Sequence, residues 1–270
     1  MSGPAPAISA PKLAATILLV RDGATGLEVF MVQRHHQIDF ATGAMVFPGG
    51  KIEAGDADPR LRARARGADA LDADALSVRV GAIRETFEEC GVLLARPLGG
   101  AALVSAERLR ELEARWRDRL NRNEAGLVDV VLAEELELAS DLLVPYAHWI
   151  TPQIVPKRFD TYFFLVAAPP DQVALHDGGE SVDSVWTTAQ HALAEAEAGR
   201  RTIIFPTLMN LNLLGGARDV ADALARTRAR SIVTVRPEVG RTPDGKAELR
   251  IPAEAGYPPL PPALAKLPPA

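Results

Sequence analysis

The chain has 270 residues, 47% of them apolar, enough to bury a sizeable core in one large domain or, as expected here, one domain with an appendage. A net charge of −5 with no long basic run excludes the electrostatic footprint of a nucleic-acid binder, and the interleaved basic and aromatic stripes of single-strand binders are missing. One cysteine excludes an internal disulfide, and no apolar run approaches the roughly 18 residues of a membrane helix.

Met1 to Lys12 is an arm rich in Ala and Pro, with no charged segment leading into an apolar one, and is expected to be flexible. The last residues, Leu267-Pro268-Pro269-Ala270, are not a peroxisomal address of the Ser-Lys-Leu type, so a cytoplasmic location is expected. Ala14 to Val20 is an apolar strand, and Arg21-Asp22-Gly23 with Thr25-Gly26 turns it into a second strand, Leu27 to Arg34. Arg34 at the strand mouth suits a phosphate fork, although a surface arginine without a role is as simple a reading. His35 and His36 have no carboxylate or third ligand beside them and read as solvated loop histidines. Ala44 to Phe47 is a short strand that delivers the chain to Pro48-Gly49-Gly50, with Phe47 anchoring the loop and the glycine carbonyls facing a site.

Residues 57 to 76 place Arg60, Arg62, Arg64 and Arg66 before Asp69, Asp72 and Asp74. For want of an apolar face this reads first as solvated charge, with a lid over a phosphorylated substrate as the alternative. A helix is expected from about Ser77 to a stop at Gly91. Val80, Ile83, Phe87 and Cys90 share its core side by their three- and four-residue steps, which makes Cys90 a buried small hydrophobe. Glu85, Glu88 and Glu89 then gather on the other side, where like charges within about 6 Å repel unless a cation sits among them. An isolated Glu-x-x-Glu-Glu also suits a solvated acidic face. The Phe-Pro and glycine turn just upstream, which allows close backbone approach, favours a metal over that reading. Oxygen-only carboxylate ligands favour a hard cation, Mg²⁺ or Mn²⁺, over zinc, which would want His or Cys nearby.

Gly50, Arg84, Glu85, Phe87, Glu88, Glu89, Gly91 and Val92 together resemble the box of the Nudix hydrolases. Three departures stand out: Asp56 occupies the position of the first box glutamate and reaches one methylene less far toward Arg84, Thr86 fills an apolar slot, and 27 residues separate Asp56 from Arg84 instead of seven. A box so interrupted resembles the branch that includes eukaryotic coenzyme A diphosphatases. The resemblance implies an α+β fold of the Nudix type, an α/β/α sandwich with a mixed central sheet, a box insertion and helical additions, spanning residues 13–215 with a C-terminal extension over 216–270 packed on it.

Beyond the box, Val92 to Leu94 starts a strand, Ser105 to Glu113 onward is an amphipathic helix carrying Leu109, Leu112 and Trp116, and Leu127 to Leu138 is another. These helices either shield one edge of the site or contact a second subunit, as in a homodimer. Leu142 to Ile150 and Thr161 to Ala167 are long strands, and Trp149-Ile150-Thr151-Pro152 followed by Arg158-Phe159-Asp160-Thr161 is again similar to the interrupted-box branch. Lys157 and Arg158 at a strand mouth suit substrate phosphates, or Arg158 pairs with Asp160. Glu180 follows Asp177-Gly178-Gly179, a short interval before Val185-Trp186. A turn glutamate is ordinarily solvated, but in the family one at this place joins the metal cluster or activates water. Helices follow over Ala189 to Ala198, Phe205 to Leu214 and Asp219 to Arg228, then a hairpin of Ile232 to Arg236 with Ala247 to Ile251, and a proline-rich strap or loose tail after Tyr257.

By this resemblance Glu85, Glu88 and Glu89, with the Gly49 carbonyl and Glu180, hold Mg²⁺ or Mn²⁺. Arg84 orients the cluster, Glu85 or Glu180 takes the proton, and Arg34, Lys157 and Arg158 meet phosphates. The substrate it implies is a small nucleotide diphosphate, coenzyme A or an acyl derivative foremost, with ADP-ribose and NADH open. The rival class is a non-catalytic nucleotide sensor, which would commonly have lost a box carboxylate.

Overall fold

The computed structural model describes residues 10–34, 43–155, 157–172, 174, 181–241 and 247–264. His35, His36 and Glu180 therefore lie outside the described residues. The strands and helices run in the order β1 (Lys12–Gly23), β2 (Gly26–Arg34), β3 (Met45–Val46), β4 (Gly49–Lys51), α1 (Ala73–Cys90), β5 (Ala95–Pro97), α2 (Ala106–Leu112), α3 (Asp118–Asn121), α4 (Leu127–Ala133), β6 (Leu136–Leu138), β7 (Val144–Ile150), β8 (Phe159–Ala167), β9 (Ser181–Thr188), α5 (Ala189–Glu197), α6 (Phe205–Leu214), α7 (Val220–Ala229), β10 (Thr234–Val235), β11 (Glu238–Arg241) and β12 (Ala247–Arg250).

The main sheet is mixed and runs β10-β7-β8-β1-β2-β3, with β4 on β1 and β9 on β2. Strand β1 organises it. One edge of β1, from Lys12 to Val20, pairs in parallel with the whole of β8. The other edge is shared: β2 pairs with Val20 to Gly23, then peels away, and β4 fills the vacated edge at Ala14 to Thr16. Side chains of β1 alternate as strand geometry requires. Ala15, Ile17 and Leu19 face one core together with Val80, Ile83, Phe87 and Cys90 of α1. Leu18 and Val20 face the other, with Met209, Leu211 and Leu214 of α6 and Ala223 of α7. Helices on both faces of a mixed sheet make the expected α+β sandwich.

Several elements differ from expectation for reasons outside local pattern. Val92 to Leu94 is buried but extends no strand, and the ladder begins at Ala95, opposite Leu138. The helix at Leu127 stops at Ala133 because Glu135 takes a positive φ of 51°, and the chain continues as β6. Thr234 and Val235 join the main sheet beside His148 and Trp149, while the hairpin forms from β11 and β12. After α7 the chain returns across the domain: Tyr257 Oη donates to Asn210 Oδ1 at 2.8 Å and accepts from Trp149 Nε1 at 2.9 Å. Among the described residues no helix is long and apolar enough to cross a membrane.

The charges of the insertion are largely solvated as expected, with Arg60, Arg62, Asp69, Asp72 and Asp74 exposed, but it has a buried apolar underside and none of its residues lines the cleft described below. After a 3₁₀ turn at Ala54–Ala57 that leads into it, the insertion forms two more, Pro59–Arg64 and Ala68–Ala70, and its last residues open α1. Leu61, Ala65 and Ala68 are buried in the core under α4, and Ala65 bridges to Leu138. Arg66 donates to the Gly100 carbonyl at 2.7 Å and pairs with Glu137. The apolar contacts come from single residues of separate short turns, Leu61, Ala65 and Ala68, and not from the face of one helix.

Candidate active site

The box loop is held by backbone geometry before any side chain acts. Phe47 is buried, and the Pro48 carbonyl accepts from Ile17 N–H at 2.9 Å. Gly49 sits at φ 152°, and a Cβ there would lie 2.3 Å from the Ala15 carbonyl oxygen, so the close approach to β1 needs glycine. Its N–H donates to Glu89 Oε2 at 2.8 Å. At Gly50 a Cβ would stand 2.4 Å from Glu85 Oε1. Gly49 thus lets the loop close on β1 and holds Glu89 through its N–H, while Gly50 leaves room for the Glu85 carboxylate.

Helix α1 starts at Ala73, earlier than the expected Ser77, because Asp72 caps it by accepting from Ala75 N–H at 2.7 Å. Gly91 ends it with φ 67°. Thr86, the polar residue in an apolar slot, donates its buried hydroxyl to the Ala82 carbonyl at 2.8 Å and leaves nothing unsatisfied.

Arg84 ties loop to helix. Its side chain is 6% exposed, and Nε and Nη2 form a parallel fork on Asp56 Oδ1 and Oδ2 at 2.9 and 3.0 Å. Nη2 also donates to the Lys51 carbonyl at 2.8 Å, and Nη1 reaches Glu88 Oε2 at 2.9 Å and Glu85 Oε1 at 3.1 Å. The shorter reach of Asp56 is met by bringing the loop closer to α1. Gly81 permits this, since a Cβ there would lie 2.5 Å from Ile52 Cδ1 and 2.8 Å from Asp56 Oδ2. Burial opposes the charge of Arg84, but the Asp56 hydrogen bonds and the fields of Glu85 and Glu88 outweigh it and raise its pKa. Glu88 goes the other way. Burial pushes its carboxyl up to about 7 against the pull of Arg84, and the charges of Glu53 and Asp56 add to the rise.

Glu85, Glu88 and Glu89 all line one cleft of about 800 Å³ with Gly49 and Gly50. Among the described residues, no three acidic, His or Cys side chains converge closely enough to make a ready-formed metal cage. In donor chemistry the wall still fits a hard divalent cation: its side-chain donors are all carboxylate oxygens, and the single guanidinium of Arg84 faces Asp56, Glu85 and Glu88 together.

The other expected site residues divide. Arg34 and Lys157 line the same cleft, and Arg34 Nε is buried with no hydrogen-bond partner among the described residues. Arg158 does not line it. Its Nε donates to the Thr151 carbonyl at 3.1 Å, which ties the mouth of β8 to the end of β7. Asp160 accepts from His148 Nε2 at 2.5 Å. The cleft also takes in Lys51, Glu53, Asn121, Asn123 and Leu249, none of them singled out by motif. Of these only Asn123 carries a local signal, an asparagine at φ 54° where the helical addition turns back toward the cleft.

Comparison with known proteins agrees with this geometry. A family model described as the NUDT19 Nudix domain matches residues 59–213, and the chain belongs to the Nudix hydrolase family. It is similar to the acyl-coenzyme A diphosphatase NUDT19 of Xenopus laevis, 26% identical over 227 residues that cover 69% of this chain and 59% of the relative. The Homo sapiens protein of the same description is 28% identical, over 63% of this chain and 55% of that one. The chain thus spans little more than half the length of these relatives. A solved Nudix hydrolase from Alicyclobacillus acidocaldarius superposes with a TM-score of 0.69 at 29% identity, over 81% of this chain and 97% of the other.

Proposed function

We propose that the protein hydrolyses the diphosphate of coenzyme A or an acyl-coenzyme A with the help of Mg²⁺ or Mn²⁺. The observation that carries this reading is the acid-rich wall, with Glu85, Glu88 and Glu89 beside a glycine-built turn in one cleft. A divalent cation bound by such carboxylates supplies neutralisation of the diphosphate and acidification of water. The chain's own residues do the rest. Glu89, fixed by Gly49 N–H, and Glu85, lodged over Gly50, present their oxygens to the cleft. Arg84 holds the helix to the loop and orients Glu85 and Glu88. Arg34 and Lys157 supply cations for phosphate oxygens.

In the reaction a water oxygen bonds to one phosphorus, the bridging P–O bond breaks, and the water proton passes to a carboxylate, for which Glu85 and Glu180 are the two candidates. The products are phosphopantetheine, acylated or free, and adenosine 3',5'-bisphosphate. The substrate choice is supported by the name of the relatives at 26% and 28% identity. Residues 13–215 form the catalytic unit in this reading, with 216–270 an extension of it. The test is purified protein with Mg²⁺ or Mn²⁺ against coenzyme A, acetyl-coenzyme A, ADP-ribose and NADH, with products identified by mass. Cleavage confined to ADP-ribose or NADH would replace the substrate, and cleavage of none would make the chain a nucleotide sensor.

A further inference from the structure

The cleft continues well past the carboxylates. Register across the sheet aligns Lys51, Ala14, Thr161 and Trp149 in one row over β4, β1, β8 and β7. Three strand spacings therefore separate the box loop from Trp149, about 14 Å. Ala14, Thr161 and Trp149 all floor the cleft. Around Trp149 the lining turns apolar, with Ile154 and Val155 from the β7–β8 connection and Leu249 from β12. Ile154 is 69% exposed, and Val239, directly opposite Leu249 in the β11–β12 hairpin, is 46% exposed. Opposed residues of an antiparallel pair stand on the same side, so Val239 extends the face that Leu249 begins. Large apolar side chains grouped in water at the mouth of a pocket mark a surface that something covers.

We propose that this apolar mouth seats the acyl end of an acyl thioester while its diphosphate lies at Glu85, Glu88 and Glu89, and that the β11–β12 hairpin thereby selects for acyl chain length. The proposal rests on the diphosphatase reading above. Continuity argues for this occupant: one uninterrupted cleft joins an acid-rich wall suited to a cation and a polyphosphate to an apolar rim, which matches a ligand charged at one end and greasy at the other. The cleft volume of about 800 Å³ lies toward the upper part of the usual range for small-molecule sites, about 300–1,000 Å³, more than a diphosphate alone would fill. The hairpin lies outside the family-matched residues 59–213, so selectivity by this route is a property of the extension.

The experiment compares kcat/KM for decanoyl-coenzyme A, acetyl-coenzyme A and free coenzyme A in the wild type, Ile154→Ser, Val239→Ser and Leu249→Ser. The wild type is expected to favour the decanoyl thioester over free coenzyme A by about tenfold or more, since each methylene accepted by an apolar pocket counts. In each variant that ratio should fall severalfold, with acetyl-coenzyme A changing least. Equal rates on decanoyl and free coenzyme A in the wild type, or a ratio untouched by Ile154→Ser, would overturn the apolar seat, and a ratio untouched by the hairpin variants would overturn the hairpin's role, each while leaving the diphosphatase reading in place. Cleavage of none of the three would remove both. Ile154 is too exposed for its replacement to threaten folding, so its ratio tests the apolar mouth, and Val239→Ser, at an exposed position of the hairpin itself, tests the hairpin's role even where Leu249→Ser fails to fold.

Discussion

Two charged centres on the same side of the sheet are built in opposite ways. At the box, one guanidinium, Arg84, faces Asp56, Glu85 and Glu88. On the helical addition, one carboxylate, Glu134, accepts from Arg108 at 2.6 Å, Arg115 at 2.7 Å and Trp116 Nε1 at 2.7 Å. The first has more acid than base, and burial pushes Glu88 up to about 7. The second has donors in excess, and its carboxyl is held low. A saturated anion is a fastening between helices. An unbalanced acidic wall in a cleft is a place where a cation would be stabilised, and the difference in charge balance separates chemistry from scaffolding where residue type alone does not.

The sharpest way to break the contrast is to remove its cation. Arg84→Met leaves Asp56 buried without its fork and should destabilise the protein by about 3–5 kcal/mol, the usual loss when one member of a buried pair is deleted, read from denaturant midpoints. Arg84→Lys should rescue little, because an ammonium cannot make the parallel fork. A loss below about 1 kcal/mol would show that loop and helix are held by packing alone. Glu89→Gln comes next. It keeps the shape and an acceptor for Gly49 N–H but removes a charge, so the fold should survive while kcat/KM drops by on the order of 10²–10³, with a weaker response to added Mg²⁺ or Mn²⁺. Unchanged turnover would take Glu89 out of the metal cluster.

Much of this arrangement is legible in sequence because it is local. The core stripe of α1, the stop at Gly91 and the sharing of one flank by Glu85, Glu88 and Glu89 follow from helical period, and Asp72 as the N-cap is a legible signal five residues ahead of the expected start. The fork of Arg84 on Asp56 is less legible. It depends on Gly81 letting the loop approach, and the glycine signals nothing until both elements are in place. Least legible are choices made by tertiary pairing. Nothing local tells Thr234 and Val235 to join β7 rather than to open a hairpin, and nothing in the Arg-rich run 60–66 announces that Leu61 and Ala65 will be core. The apolar rim at Ile154 and Leu249 belongs to this last class, being assembled from segments about 95 residues apart.

A smaller perturbation sharpens the acidic side of the comparison without touching its charges. In Gly50→Ala the new methyl meets the Glu85 carboxylate, the far end of a flexible side chain, at 2.4–2.5 Å. The fold should give way easily, but Glu85 must move. We expect little change in stability and a loss of roughly 10–100-fold in kcat/KM, since small misplacements of a catalytic group cost that order. A drop in stability with activity retained would mean that the glycine serves the loop and not the carboxylate.

The mildest test concerns the saturated centre. Burial pushes Glu134 up, but hydrogen bonds from Trp116, Arg115 and Arg108 outweigh it and hold its pKa below the ordinary 4.5. A carboxyl whose folded pKa is depressed contributes stability that is complete above its unfolded pKa and is lost as the pH falls through its folded value. Glu134→Gln keeps one acceptor oxygen and discards the charge. It should therefore cost about 1–2 kcal/mol at pH 7, discounted because Arg115 is 62% exposed, and the gap between variant and wild type should close on acidification below pH 4.5. Turnover at pH 7 should be untouched, since Glu134 lies outside the lining of the cleft. A gap that stays constant with pH would show that the carboxylate holds its helices by shape and not by charge, and the contrast between the two centres would then rest on the box alone.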